Sequence, residues 1–190
     1  LSVIDCSGSM WGVTIKQCQY SLNRMIDLSY KNKQLISNVI TYHDRAKNYT
    51  IDTNELIEVY RQEAAKLGLE SGGTSFTAAF DEIIKVITLH ESNSEISSLN
   101  IVFLTDGEDS SIQKDKRGQL VTSLKDRIIN VWSKPFTVHS IGFGQQHDSD
   151  FLDKLRKIGT TEGSYRYADP QEDNDSLSNK INSVLNVIAE

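Results

Sequence analysis

Residues 99–109 read Leu99-Asn100-Ile101-Val102-Phe103-Leu104-Thr105-Asp106-Gly107-Glu108-Asp109. The apolar run from Leu99 to Leu104 is a strand buried on both faces, as a central parallel strand is. It stops abruptly at an acidic turn. On either side the apolar spacing changes to that of a helix: Phe76, Phe80, Ile83, Ile84 and Ile87 before it, Leu120, Leu124, Ile128 and Val131 after it. A strand fed and followed by helices is the unit from which parallel sheets are built.

The same alternation runs the length of the chain. Leu1 to Ile4 is a short strand ending at Asp5, and Ile15, Cys18, Leu22, Met25 and Ile26 give the next helix one apolar face. Leu35 to Tyr42 and Ala46 to Ile51 are strands joined by the polar turn His43 to Arg45, a connection short enough to require an antiparallel pair. Leu56, Tyr60, Ala64 and Leu67 mark a helix begun by the capping residues Asp52 to Asn54, and Ser71-Gly72-Gly73-Thr74-Ser75 breaks it. Phe136 to Ile141 is a strand, Phe151, Leu155 and Ile158 a short helix, Tyr165 to Tyr167 a short strand, and Leu177 to Ile188 the last helix. The pattern predicts an α/β fold: a doubly wound, mostly parallel six-stranded sheet with one antiparallel edge strand and helices on both faces.

Composition narrows the function. The chain has 190 residues and a net charge of −6, with Lys and Arg scattered along it. Nucleic-acid binding needs clustered cations, so no nucleic-acid partner is expected. No apolar stretch approaches the roughly 20 residues that span a bilayer, and no membrane association is expected. Residues 1–190 read as a single domain. Because Leu1 stands directly in a strand with no initiator Met, that domain is expected to be cut from a longer protein or assembly. Cys6 ends a strand and Cys18 lies inside a helix, so both are expected as free buried thiols, which favours a reducing, cytoplasmic compartment.

In open α/β sheets ligands bind beyond the carboxyl ends of the strands, where the strand order reverses. Two segments at such ends are rich in oxygen donors: Asp5-Cys6-Ser7-Gly8-Ser9-Met10 and Thr105-Asp106-Gly107-Glu108-Asp109. Hydroxyls and carboxylates are hard donors suited to Mg²⁺, Mn²⁺ or Ca²⁺. Ser7 and Ser9, two apart in an extended loop, point the same way. Thr74 offers a third hydroxyl, Asp5 and Asp106 supply charge, and Gly8, Gly72 and Gly73 allow a close turn. Zinc is disfavoured, since no Cys or His cluster accompanies these residues.

Asp5-x-Ser7-x-Ser9, the Gly-Gly-Thr74 turn and Thr-Asp106-Gly together resemble the metal-ion-dependent adhesion site of von Willebrand factor A domains, and the resemblance runs over essentially the whole chain. It implies that Ser7 and Ser9 bind Mg²⁺ or Mn²⁺ directly and that Thr74 does so directly or through water. Asp5 and Asp106 would act through water or by orienting the serines. It also implies that the remaining position takes a carboxylate from a protein partner. The form Asp-x-Ser-Gly-Ser-Met is nearer to the intracellular and bacterial members. Met10, Trp11, Ser75, Glu108 and Asp109 flank these donors and are the expected partner contacts. For Trp11 the alternative is packing under the first helix, and for Glu108 and Asp109 a solvated acidic loop. His43 and Asp44 form either a plain polar turn or one that reaches the same face. His147, Asp148 and Asp150 read as a helix start, and His139 as a satisfied strand histidine.

Two other functions compete with a metal-dependent interaction module. One is a metal-independent interaction scaffold. The other is a metal-dependent hydrolase or phosphoryl-transfer enzyme, which would need a positioned base and phosphate-holding cations. The sequence has no Gly-x-x-x-x-Gly-Lys loop, no Gly-x-Ser-x-Gly elbow and no Asp-x-Asp pair after the first strand, so no enzymatic activity is expected.

Overall fold

A computed structural model of the chain describes residues 1–69, 72–169 and 175–189. Six strands form one sheet: β1 (Ser2–Asp5), β2 (Ser37–Tyr42), β3 (Ala46–Ile51), β4 (Leu99–Thr105), β5 (Phe136–Phe143) and β6 (Tyr165–Ala168). Their order is β3-β2-β1-β4-β5-β6. Every pair is parallel except β2 with β3, the hairpin at one edge. The helices are α1 (Val13–Lys31), α2 (Ile57–Ala65), α3 (Phe76–His90), α4 (Arg117–Val131), α5 (Ser149–Leu155) and α6 (Ser176–Ala189). The expected architecture is the observed one.

Side chains that alternate along each strand divide the core into two layers. Val3, Ile40, Ile101, Phe103 and Val138 point to the face covered by α3, α4 and α5. Ile4, Val39, Val102, Leu104 and Ile141 point to the face covered by α1, α2 and α6. The apolar run Ile101 to Leu104 of β4 thus reflects a strand with an oily neighbour on each side. Among the described residues no helix is long and apolar enough to cross a membrane. Cys6 and Cys18 are both buried and unpaired.

The chain leaves β1 in one direction along the sheet to build β2 and β3, and resumes on its other side with β4, β5 and β6. The strand order therefore reverses between β1 and β4, and the loops that leave their carboxyl ends, after Asp5 and Thr105, lie side by side at the switch point where such folds bind ligands.

Two local expectations are corrected. Asp52 and Asn54 do not start α2: the Asp52 carboxylate accepts from the Asn54 backbone N–H at 2.9 Å, closing a turn of its own. The helix begins at Ile57, behind Leu56, which makes no side-chain cap. Strand β2 begins at Ser37 rather than Leu35, because the Leu35 N–H is taken by the Asn32 carbonyl, in a turn that closes α1. Ser71, the first residue of the expected Gly-Gly-Thr turn, lies outside the described residues.

One ring organises the α3 side. Phe103 is fully buried and lies within 5.5–6.4 Å, centroid to centroid, of Tyr42, Phe76, Phe80 and Phe151. Phe103→Ala removes the partner common to four rings and is expected to cost about 3–5 kcal/mol, read from urea unfolding. A loss below about 1 kcal/mol would mean the layer repacks around the gap.

A candidate metal centre at the carboxyl edge of the sheet

Three loops meet at the β1–β4 switch point. Asp5 ends β1 with its side chain turned under the edge and fully buried. One carboxylate oxygen accepts from the Ser7 N–H at 2.8 Å and the other from the Thr105 hydroxyl at 2.6 Å. Burial raises its pKa, while the hydrogen bonds from Thr105, Ser7 and Tyr42 oppose that rise. The first of these bonds folds the loop back, and a short 3₁₀ turn over Gly8–Met10 then carries it to α1.

The loop presents its hydroxyls in sequence. Ser7 Oγ stands 3.1 Å from Ser9 Oγ, and Ser9 Oγ donates to Asp106 Oδ1 at 2.8 Å. Asp106, just past the end of β4, has a pKa raised to about 6, first by burial and further by the neighbouring Asp5 charge, against the bond from Ser9. Thr74 approaches from the second loop. A Cβ built on Gly107 would meet Thr74 Oγ1 at 3.6 Å and Ser9 Oγ at 3.9 Å, so both hydroxyls face the same patch of bare backbone.

The second loop is held by the first and by the β2–β3 turn. The Gly8 N–H donates to the Gly72 carbonyl at 3.1 Å, the Gly73 N–H to Asp44 Oδ1 at 2.9 Å, and the Ser75 N–H to the His43 carbonyl at 3.0 Å. A side chain at Gly72 would press on the Asp44 carboxylate and the His43 ring, so one of these would have to give way. The His43–Asp44 turn thus reaches the site, as a support for the loop that carries Thr74.

The donor spacing suits a small hard cation. Neighbouring ligands around an octahedral Mg²⁺, bound at roughly 2.0–2.1 Å, stand about 3 Å apart. The Ser7–Ser9 and Ser9–Asp106 separations of 3.1 and 2.8 Å have that value. Among the described residues no group of three or more His, Cys, Asp or Glu side chains is arranged to hold a metal. An ion at this edge would therefore rest on hydroxyls as well as carboxylates.

The flanking residues separate into three kinds. Trp11 is 62% exposed beside the loop and forms an open apolar rim, not a support under α1. Glu108 is also exposed, though tied to Arg117 Nη1 at 3.1 Å and Lys114 at 3.6 Å. Ser75 is half-buried, its hydroxyl capping α3 by accepting from the Ala78 N–H. Met10 and Asp109 are corrections. Both are fully buried and reach no partner: Met10 packs in the α1-side core, and the Asp109 carboxylate accepts from the Phe76 and Ser111 N–H groups.

Elsewhere the expected quiet roles are observed. The Asp148 side chain caps α5 by accepting from the Phe151 N–H at 3.0 Å, and His139 Nδ1 meets Ser164 Oγ at 3.0 Å. Two roles at the site escaped the sequence reading. The Thr105 hydroxyl donates to Asp5 at 2.6 Å, and buried Arg117 braces the Asp106 loop through the Asp109 carbonyl at 3.0 Å. Only Thr105 carried a local signal, as the hydroxyl immediately before Asp106.

A family model, that of the von Willebrand factor type A domain, matches residues 1–182. The chain belongs to that family. The human inter-alpha-trypsin inhibitor heavy chain H2 is 27% identical to this A domain over 165 residues, 82% of the chain and 16% of the human protein. The A domain therefore spans about a sixth of the curated relatives it matches. Among solved structures it resembles the von Willebrand factor type A protein from Catenulispora acidiphila, with a TM-score of 0.70, 17% identity, and coverage of 96% of this chain and 40% of that one. It also resembles proximal thread matrix protein 1 of the mussel byssus, described with a zinc-occupied MIDAS motif. There the TM-score is 0.66, the identity 15%, and the coverage 99% of this chain and 44% of that one. At these identities the structures establish the fold of the A domain.

Thr105→Val keeps the shape of the A-domain edge and removes the hydroxyl that satisfies Asp5. A buried acceptor left without its donor costs about 1–3 kcal/mol. Denaturant unfolding is expected to show a loss of that size, with a wild-type m-value. An unchanged midpoint would mean that the Asp5 carboxylate finds another donor.

Proposed function

We propose that this A domain is a protein interaction module that holds one divalent cation, Mg²⁺ or Mn²⁺, and uses it to take a carboxylate from a partner protein. The observation that carries the reading is the contiguous oxygen set Ser7–Ser9–Asp106, spaced as neighbouring ligands are, with Thr74 turned toward the same backbone patch. The zinc-occupied motif of the mussel neighbour is a precedent for a metal at such a site in this fold.

On this reading Ser7, Ser9 and Thr74 hold the ion through neutral hydroxyls. Asp106 steadies Ser9 and Asp5 fixes the loop from beneath. When bound, the ion supplies an electrophilic position whose charge is only partly offset, and which therefore attracts an acidic side chain. Of the nearby acids, Asp5 and Asp109 are turned inward and Glu108 is paired with Arg117, so Asp106 is the carboxylate left facing the oxygen set. Trp11, exposed at the rim, is the residue most open to a partner. The activity is binding and not turnover, exercised inside a larger chain or assembly.

The test is calorimetric titration of Mg²⁺ and Mn²⁺, extended to millimolar concentration, with Ser9→Ala and Asp106→Ala as controls. Single-site binding that both substitutions weaken at least tenfold is expected, with a rise in melting temperature as cation is added. Trp11→Ala is expected to leave cation binding unchanged. A folded wild-type domain that takes up no cation in this range sinks the proposal.

A further inference from the structure

We infer that Asp109 is a positioning residue that couples the Thr74 loop to the Asp106 loop, so that donors from two segments take their places as one unit. The inference rests on the metal-binding reading above and adds a residue that contacts none of the donors.

The Asp109 carboxylate is fully buried and serves three donors. Its Oδ2 accepts from the Phe76 N–H at 2.8 Å, and its Oδ1 from the Ser111 N–H at 3.0 Å and the Ser111 hydroxyl at 2.5 Å. A buried carboxylate without such donors is strongly disfavoured. The Asp106 loop can therefore keep this shape only while the Phe76 N–H stays in place. Phe76 is the first residue of α3, two positions past Thr74, and its N–H is one of the donors a helix start leaves unpaired. A negative charge there is also favoured by the helix dipole.

Thr74 is consequently pinned from both sides. Asp44 and the His43 carbonyl hold Gly73 and Ser75 against the β2–β3 turn. Asp109 holds Phe76 against the loop that bears Asp106. That loop is braced in turn by buried Arg117, which donates to the Asp109 carbonyl at 3.0 Å, to Glu108 at 3.1 Å and to Asp148 at 2.5 Å. Displacing Asp109 shifts the Thr74 hydroxyl relative to Asp106, while Ser7 keeps its backbone bond to Asp5.

A simple helix cap would alter stability without this selectivity, so the test is a mutant cycle on Mg²⁺ affinity joined to amide exchange. Asp109→Ala is expected to weaken Mg²⁺ binding about 10–100-fold, the usual effect of removing a group that orients a ligand. In a Thr74→Ala background the same change is expected to cost little more, because groups acting through one another do not add. Asp109→Asn guards against misfolding: its single acceptor oxygen cannot serve both Phe76 and Ser111. In metal-free protein it is expected to speed exchange at Phe76 and across Gly72 to Ser75, and to leave Trp11 to Ile15 unchanged. Wild-type Mg²⁺ affinity in a folded Asp109 variant, or an equal loss with and without the Thr74 hydroxyl, overturns the inference. If the wild-type domain binds no Mg²⁺ the metal reading falls, and exchange alone decides the coupling: faster exchange over 72–76 supports it, unchanged exchange overturns it.

Discussion

The candidate site depends on a carboxylate that never reaches the surface. Asp5 lies sealed beneath the sheet edge, one oxygen bonded to the Thr105 hydroxyl and the other to the Ser7 N–H. A buried charge is tolerated only where hydrogen bonds replace its water. The two bonds have separate consequences. The first ties the end of β1 to the end of β4 across the switch point. The second folds the loop after β1 so that Ser7 and Ser9 present their hydroxyls on one side. The edge is rich in hydroxyls, with Asp106 beside them, while the carboxylate that shapes the first loop is held one layer below.

From that constraint the other loops follow outward. Gly8 binds Gly72, bringing the Thr74 loop against the first, and Asp44 steadies it from the β2–β3 turn. Asp109 and Arg117 do the same for the loop after β4. Acidic residues near the switch point thus serve two ends. Asp5, Asp44 and Asp109 accept backbone N–H groups and shape loops, whereas Asp106 meets a side-chain hydroxyl at the edge. A count of carboxylates near the site would overstate how many are open to a ligand, since most are already engaged.

The fold was legible because burial on two faces leaves a mark in sequence. Leu99 to Leu104 could only be an interior strand, and the three-residue turn His43 to Arg45 could only join antiparallel neighbours. The five residues proposed to form the site could be named in advance because each lies at the end of a strand or just ahead of a helix. What stayed hidden was the direction of individual side chains. Met10 and Trp11 are adjacent apolar residues, yet the 3₁₀ turn sends one into the core and the other into solvent. Asp109 and Glu108 are adjacent acids, yet Asp109 turns inward, to Ser111 nearby and to Phe76, 33 residues away. Local patterns carry no record of such long-range partners. Asp52 and Asn54 failed for the opposite reason: a residue able to cap a helix is equally able to close its own turn.

The central claim is that an ion sits on hydroxyls between the ends of β1 and β4. Anomalous diffraction from crystals of the domain grown with Mn²⁺ tests it most directly. The account predicts one strong peak at the switch point, within about 2.0–2.6 Å of Ser7 Oγ and Ser9 Oγ, the range of hard cations on oxygen. A well-ordered edge with no peak there, or a peak only on exposed carboxylates elsewhere, would contradict it.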